Sequence, residues 1–375
     1  MRAEHTFQVF LLEEWQSRYE QTVRYNLADS GVQPVTIREL LSEEQIEQLL
    51  DLPIHYPEVN GSQALRTLIA NSYPGATASH VLVTVGAAEA NQIICQTLLQ
   101  PGDEVVVMEP GYRQVWGLAH NLGCTLKSFP LEQQHGWRPD LNALERAVTE
   151  RTRLIALVNP NNPTGAILTP DEMRQIAEIA ERCGAWLLAD EVYIGSERLS
   201  SVDTPSFWGM CSRVLVVGSM SKAYGLSGLR LGWAVASQPA LIEALWRRHE
   251  YATIATSAPS MLLAEFALQP DTRRRLLARQ RQLINAGWSQ LEEWLTRHPR
   301  LVSAVAPQAT ALSFVHYHAA LPSLEVAERL RQEGDVLVAP GACFGIEGHL
   351  RITHGLKADY VAEALERMAR VLARL

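Results

Sequence analysis

Residues 218–230 read GSMSKAYGLSGLR and follow an apolar run at residues 213–217. A lysine whose stem is packed and whose amine is partly removed from water has a lowered pKa, so Lys222 could form a Schiff base and then act as a base. Ser219 and Arg230 could bind a phosphate, the arginine through its planar fork of donors. The pattern predicts a reaction centre. Taken by itself, the stretch could also be an ordinary glycine-containing loop with a solvated lysine.

Composition limits the classes of protein that fit. The chain has 375 residues, more than one hydrophobic core usually accommodates, so two lobes are expected. Its net charge of −8 repels a phosphate backbone, and the basic run at residues 273–281 is expected to be a solvated helix face. The N-terminus lacks an apolar signal core, and no apolar run is long enough to cross a bilayer. We therefore expect a cytoplasmic protein that binds neither nucleic acid nor membrane.

The spacing of the cysteines and histidines does not indicate a metal site. The five cysteines are scattered without C-x-x-C spacing, which is typical of reduced residues. His316 and His318 would share one face of a predicted strand, but no acidic or sulfur ligand stands near them in sequence. We expect both histidines to be structural and the protein to hold no metal.

A parallel sheet is indicated from residue 80 onward, where short β-branched runs alternate with helical segments. The predicted strands are residues 81–85, 104–108, 154–158 and 185–189, with a helix at residues 89–99. The residues expected just past strand ends are Gly86, Tyr112, Asn162, Asp190 and Lys222. Open α/β sheets bind ligands at the carboxyl ends of their strands, so five suitable residues there favour one site over five unrelated loops.

The second half of the chain has a different pattern. Long helices are predicted between residues 239 and 297, the later one bridging the lobes. An α+β unit is predicted at residues 310–375, with strands 311–316, 336–339 and 350–353, a helix at 322–333 and a terminal helix. We expect a large domain of residues 40–270 and a small domain made of residues 1–39 and 271–375.

Four motifs in this order resemble those of class I/II pyridoxal 5'-phosphate (PLP) aminotransferases of fold type I. In chain order they are the glycine seat, Gly-Ala-Ala at residues 86–88, then N-P-N-N-P-T-G at residues 159–165, D-E-V-Y at residues 190–193 and S-x-S-K-x-x-G-L-x-G-x-R-x-G from Ser219. The resemblance implies PLP as cofactor and an α/β fold. Its large domain would have a mostly parallel, seven-stranded type of sheet with helices on both faces, beside a smaller α+β domain.

The same resemblance assigns roles to residues. Lys222 would form the Schiff base and move the substrate proton, Asp190 would pair with the pyridinium nitrogen, and Tyr193 would contact the ring oxygen. Tyr112 would stack on the ring, and Asn162 would be the family's functional asparagine. The phosphate would be held by Gly86, Ala87, Ala88, Ser219, Ser221 and Arg230.

Three further positions are expected to complete the site. Tyr56 matches Y-x-x-x-x-G-x-x-x-L-R, whose tyrosine reaches the cofactor phosphate of the neighbouring subunit, which implies a homodimer; a packing role is the alternative. Arg351 in H-L-R-I-T matches the family's arginine for the substrate carboxylate, although strand arginines are commonly surface residues. Gly31 could offer a backbone amide to a carboxylate or simply belong to a loop.

The implied activity is transfer of an amino group from an L-amino acid to a 2-oxo acid. The segments LEEW at residues 12–15 and VLVAPGACFG at residues 336–345 are also similar to the capreomycidine synthase branch, which cyclises its substrate instead of transaminating it. That chemistry is the alternative. A non-catalytic PLP-binding regulator fits less well, because the chain has no extra length or basic segment for a DNA-binding region.

Overall fold

Two principal β-sheets organise residues 7–375, the part of the chain that the computed structural model describes. The strands are β1 Tyr25–Asn26, β2 Val81–Thr84, β3 Glu104–Glu109, β4 Thr125–Glu132, β5 Arg138–Pro139, β6 Thr152–Val158, β7 Trp186–Asp190, β8 Val214–Ser219, β9 Gly232–Ala236, β10 Val302–Ala304, β11 Leu312–Tyr317, β12 Val336–Leu337, β13 Ala339–Pro340 and β14 His349–Thr353. The helices are α1 Leu11–Tyr19, α2 Ile37–Leu40, α3 Glu43–Leu50, α4 Gln63–Ala70, α5 Gly86–Leu98, α6 Gln114–Asn121, α7 Leu141–Ala147, α8 Pro170–Cys183, α9 Pro239–Ala252, α10 Ala258–Leu268, α11 Pro270–Arg297, α12 Ser323–Gly334 and α13 Ala358–Leu372.

The larger sheet has the strand order β2-β9-β8-β7-β6-β3-β4-β5. Strands β4, β3, β6, β7 and β8 are parallel, which confirms the predicted mostly parallel sheet. Strand β9 runs in the opposite direction between β8 and β2, so β2 points the same way as the parallel strands. The two-residue β5 extends the sheet by an eighth strand beyond the predicted seven-stranded type.

Hydrophobic cores cover both faces of this sheet. Val106 on β3 packs in the same core as Ile176 of α8, whereas its neighbour Val105 packs in a second core with Ile94 of α5. Successive side chains of a strand point to opposite faces, so a continuous apolar strand supplies both cores. The helices lie on both faces, as the sequence predicts.

Local capping signals set several helix starts. Ser62 caps α4, where its hydroxyl accepts a hydrogen bond from the Leu65 amide, as predicted. Thr169 and Glu172 form the predicted capping box of α8, with Pro170 at its first position. Helix α5 begins at Gly86, three residues earlier than predicted, because the glycine seat is itself its first turn.

The smaller sheet is antiparallel, with the order β10-β11-β14-β13. The prediction of a single strand at residues 336–339 was wrong. The chain changes partner at Val338, so β12 pairs with the N-terminal β1 while β13 pairs with β14. The Trp15 indole of α1 donates to the Val338 carbonyl at 2.9 Å. These contacts favour the grouping of the N-terminal residues with the small domain, which stays a prediction.

The helical region between residues 239 and 297 consists of α9, α10 and α11, each with a proline in its first turn. Helix α11 packs against α10 at one end and against β10 and α13 elsewhere. None of the described helices is both long and apolar enough to cross a membrane. The His316 and His318 rings lie 5.3 Å apart, and residues 7–375 contain no cluster of ligating side chains that could hold a metal ion.

Two helical glycines provide a matched test of packing. A β-carbon at Gly287 in α11 would collide with the backbone carbonyl of His354, whereas one at Gly117 in α6 would meet nothing within 4 Å. We expect Gly287→Ala to lower the free energy of unfolding by about 1–3 kcal/mol. Gly117→Ala should raise it by up to about 1 kcal/mol through helix propensity. Denaturant unfolding of both variants measures the difference, and equal effects would contradict the packing described.

Candidate active site

A cavity of about 490 Å³ opens at the carboxyl edge of the larger sheet. Strands β3, β6, β7 and β8 end there, and the start of α5 and one side of α1 complete its walls. Most of the predicted site residues line this one cavity: Ala87, Ala88, Tyr112, Asn162, Asp190, Tyr193, Ser219, Ser221, Lys222 and Arg230. The expected convergence of separate strand ends is therefore present in the structure.

Lys222 follows β8 and extends into the cavity. Its Nζ donates a hydrogen bond to the Ser30 hydroxyl at 2.6 Å. Removal from water lowers the pKa of Lys222; the charges of Arg351 and Arg230 act in the same direction, while Asp29 and Glu13 oppose them. A lysine with a lowered pKa is more readily a neutral nucleophile or base at physiological pH.

The other two lysines in the chain are placed differently. Lys127 donates to Glu104 at 2.8 Å, and Lys357 is exposed at the start of α13. Neither lines the cavity. Lys222 is thus the lysine available for chemistry there.

Asp190 is the last residue of β7 and is buried. Its Oδ2 accepts a hydrogen bond from Asn91 Nδ2 at 3.1 Å, and its Oδ1 accepts from the Val192 amide at 3.3 Å. Burial raises the pKa of the Asp190 carboxyl despite these donors and the charge of Lys222. A cation bound against this carboxylate would favour its charged form.

Asn91 was missed by sequence reasoning. It lies on α5, and its Oδ1 is buried without a hydrogen-bond partner among the described residues. The available signal was a polar residue in the apolar stripe of a buried helix, beside Ala90, Ile93 and Ile94. Its amide orients the Asp190 carboxylate and so belongs to the site.

One corner of the cavity suits a phosphate. Gly86 has φ of +75°, and a β-carbon there would lie 2.6 Å from Arg230 Nη2. Arg230 Nη1 lies 3.5 Å from the Ser221 hydroxyl, and the Ser219 hydroxyl accepts from the Ser221 amide at 2.9 Å. The first amides of α5 have no partner within the helix and form its positive end. Guanidinium, hydroxyls and helix terminus together match an anion with several oxygens.

A buried network fixes the start of α5. The Glu89 carboxylate accepts from the Val85 amide at 2.6 Å, from the Thr253 hydroxyl at 2.7 Å and from His249 Nδ1 at 2.9 Å. His249 Nε2 faces the Val59 carbonyl at 3.1 Å. Both ring nitrogens of His249 thus face oxygen atoms of the network. The network joins α5 and α9 to the segment that carries Tyr56.

Arg351 on β14 is completely buried behind the cavity lining. Its Nη1 donates to Asn162 Oδ1 at 3.1 Å, and its Nη2 donates to the Ala28 carbonyl. Its Nε has no partner, and no carboxylate among residues 7–375 lies within ion-pair distance of its guanidinium. Burial lowers the pKa of Arg351. A buried guanidinium without an anion is suited to binding a carboxylate ligand.

The two tyrosines of the cavity are fixed by hydrogen bonds. The Tyr112 hydroxyl donates to Glu13 Oε1 at 2.8 Å, and the Tyr193 hydroxyl lies 3.5 Å from the Ser30 carbonyl. Burial raises the pKa of both phenols. Both tyrosines are therefore neutral hydrogen-bond donors.

Gly31 and Tyr56, like Gly86 and Arg351, are predicted site residues that do not line the cavity. The Gly31 amide donates to Asp29 Oδ1 at 2.9 Å, while the Gly31 carbonyl accepts from the Thr353 hydroxyl. Tyr56 is 80% exposed and does not line the cavity of its own chain. The structure places Tyr56 on the surface, where a second chain could contact it.

Comparisons with known proteins agree with this geometry. A family model described as aminotransferase class I and II matches residues 40–368. Capreomycidine synthase from Streptomyces vinaceus is 30% identical over 363 residues, which cover 91% of this chain and 88% of that protein. Arginine–pyruvate transaminase from Pseudomonas aeruginosa is 30% identical over 347 residues, covering 88% and 85%. A solved PLP-dependent aminotransferase from Streptococcus suis has a TM-score of 0.91 at 29% identity, with 98% of each chain covered.

The residues present also fit the cofactor. The Arg230 guanidinium lies against Gly86, where any side chain would displace it, a buried carboxylate ends β7, and Lys222 in the cavity has a lowered pKa. These features match the phosphate, ring nitrogen and aldehyde of PLP. The family match spans most of the chain. The chain belongs to the class I and II aminotransferases and is a PLP-dependent transaminase of fold type I.

Proposed function

We propose that this protein moves the α-amino group of an L-amino acid to a 2-oxo acid, with Lys222 as its catalytic base. The observation that carries the proposal is that Lys222 shares one cavity with the buried carboxylate of Asp190 and with Asn162, the partner of Arg351. These groups supply a base, a partner for a cationic ring and a carboxylate receptor.

PLP supplies an aldehyde that takes up an amino group and a ring that accepts the electron pair left at Cα. The cofactor-binding set would be the α5 start at residues 86–88 with Ser219, Ser221 and Arg230 for the phosphate. Tyr112 would pack on the ring, and Tyr193 would donate to its oxygen. Asp190, oriented by Asn91, would keep the ring nitrogen protonated and so make the ring a better electron acceptor.

Arg351 and Asn162 would bind the substrate α-carboxylate. Arg351 has an unpaired Nε and no carboxylate partner within the described residues, so an incoming carboxylate would meet a charge that the fold leaves uncompensated. Fixing the carboxylate limits rotation about the Cα–N bond of the substrate. The Cα–H bond is thereby oriented toward Lys222. Lys222, with its lowered pKa, would then take this proton from Cα and deliver it to the carbon of the cofactor's aldehyde group.

A cyclisation of the capreomycidine synthase type is the second candidate. It is favoured by the 30% identity to that enzyme over most of both chains. Both reactions begin with removal of the Cα proton, so Lys222 and Asp190 serve either of them. They differ in their need for an acceptor, because only transamination consumes a 2-oxo acid.

We also propose that the protein forms a homodimer and is cytoplasmic. Ile54 and Tyr56 on one segment, and Tyr251 and Ile254 on another, are exposed. The hydrogen bond between His249 and the Val59 carbonyl joins these two segments. Exposed apolar side chains on two joined segments are typical of an interface, and a second copy would bring Tyr56 to the neighbouring cavity.

Lys222→Ala tests the reaction itself. The variant should lose the visible absorbance band of lysine-bound cofactor and at least about a hundredfold in turnover, the usual scale for a positioned acid–base group. Lys357→Ala, which removes an exposed lysine, should keep both properties. Steady turnover of an amino acid by the parent enzyme should require an added 2-oxo acid. Turnover without an acceptor would favour cyclisation, and normal turnover of Lys222→Ala would contradict the assignment.

Arg351→Lys tests the carboxylate receptor. Lysine keeps the charge but loses the planar fork, so kcat/KM for α-amino acids should fall by about tenfold or more, equivalent to about 1.4 kcal/mol. Amines without a carboxylate, however slow, should change little. Steady-state kinetics with both substrate types measure the difference. An equal loss for the two types would indicate damage to the fold or cofactor site instead.

Mixed dimers test the shared site. Tyr56→Phe and Arg351→Ala homodimers should each be impaired, because each lacks one group in both sites. If Tyr56 acts across the interface, a mixed dimer carries one site with both defects and one intact site. Co-refolded mixtures should therefore regain activity above either parent. Absence of complementation in verified mixed dimers, or a fully active monomer, would contradict the proposed interface.

A further inference from the structure

The first helix brings an acidic side chain to the wall of the active-site cavity. Glu13 and Gln16 of α1 line the same cavity as Lys222 and Asn162, and Phe10 precedes them. A spacing of three residues places two side chains on the same helix face. The α1 wall therefore presents a carboxylate, an amide and an aromatic ring to a bound substrate.

Glu13 has no cationic partner in the part of the chain described. Its Oε1 accepts a hydrogen bond from the Tyr112 hydroxyl at 2.8 Å, and no lysine, arginine or histidine among residues 7–375 lies within ion-pair distance of it. The adjacent Glu14 differs, because it pairs with Arg18 and does not line the cavity. The negative charge that faces the cavity is thus uncompensated by a direct ion pair.

Gln16 adds a second acceptor to this wall. Its Nε2 donates to the Ala28 carbonyl at 2.7 Å, which fixes the amide group and leaves its carbonyl oxygen as an acceptor. The same Ala28 carbonyl accepts from Arg351. The α1 wall and the proposed carboxylate receptor are therefore joined through one backbone group, and a substrate bound to Arg351 lies in the cavity beside Glu13.

Apart from accepting the hydrogen bond of Tyr112, Glu13 takes part in none of the transamination steps described above. Arg351 and Asn162 account for the substrate carboxylate and Lys222 for its Cα proton, so the substrate side chain is the part that remains for the α1 wall. An acidic side chain would place two negative charges together, and an apolar one would remove water from Glu13 without replacing its hydrogen bonds. A cationic side chain satisfies the carboxylate and donates to it.

We propose that the amino-acid substrate carries a positively charged side chain, guanidinium or ammonium, and that Glu13 binds this group with Gln16 as a further acceptor. The proposal rests on the proposed function only in that the cavity receives an amino acid. It holds whether the bound amino acid is then transaminated or cyclised.

Pairs of substrates that differ in charge test the proposal. Arginine and citrulline have nearly the same shape, but only arginine is cationic; lysine and norleucine provide the same contrast for an ammonium group. Binding to the holoenzyme by calorimetry and kcat/KM by spectral change of the bound cofactor are measured for all four. We expect the cationic member of at least one pair to be preferred by about tenfold or more, and the pair with the larger ratio identifies guanidinium or ammonium.

Variants of α1 assign the preference to Glu13. Glu13→Gln keeps the shape and an acceptor for Tyr112, so it should reduce the cationic-to-neutral ratio to near one, mainly through weaker binding of the cationic member. Glu13→Asp, which keeps the charge, should retain part of the ratio. Glu14→Gln makes the same charge change one residue away, outside the cavity lining, and should leave the ratio unchanged. Cofactor absorbance confirms that each variant is loaded.

The outcomes separate this inference from the proposed function. If the parent enzyme transaminates neutral or acidic amino acids as well as it does cationic ones, the function stands and the inference is overturned. Equal losses for arginine and citrulline in Glu13→Gln would also overturn it, since a charge contact affects only one of them. If cationic amino acids bind selectively but react without a 2-oxo acid, the inference stands and transamination fails.

Discussion

The site depends on one constraint, the shared direction of strands β2, β3, β6, β7 and β8. Their carboxyl ends meet at one edge, and the residues that follow them are brought together from distant parts of the chain. Strand β9 makes this possible on the β2 side, because two antiparallel pairings in succession restore the common direction. The buried apolar strands thus fix the backbone, and the loops beyond them are free to carry polar groups.

The charges at this edge form a set in which each member lacks a complete partner. Lys222 has a lowered pKa, Asp190 has a raised one, and Arg351 is buried with no carboxylate among the described residues at ion-pair distance. Burying charged groups without partners lowers the stability of the folded protein, but it leaves these groups available to ligands. The cofactor and an amino acid carry the complementary groups, which explains why a site of this kind is most stable when filled.

Sequence reasoning located the residues that follow strands, and it located Arg351 through its motif, but it missed Asn91 on α5 and the residues from the N-terminal region. Lys222, Asn162 and Asp190 follow apolar runs and have distinctive neighbours, so their position could be predicted. Glu13 and Ser30 come from the N-terminal region, where nothing in the local pattern indicates which face of a helix or loop meets the sheet edge. The break at Val338 was equally hidden, because it arises from a change of strand partner between two segments far apart in sequence.

The end of β7 shows how the strand pleat assigns function to one of two adjacent carboxylates. Asp190 lines the cavity and contacts Asn91, whereas Glu191 accepts from the Ser206 hydroxyl at 2.6 Å and the Phe207 amide at 2.7 Å on the other side. Burial raises the pKa of Glu191 to about 8, despite these donors. Neighbouring residues of a strand point to opposite faces. Asp190 is therefore placed for a cofactor and Glu191 for anchoring a loop, a distinction that follows from backbone geometry and not from acidity.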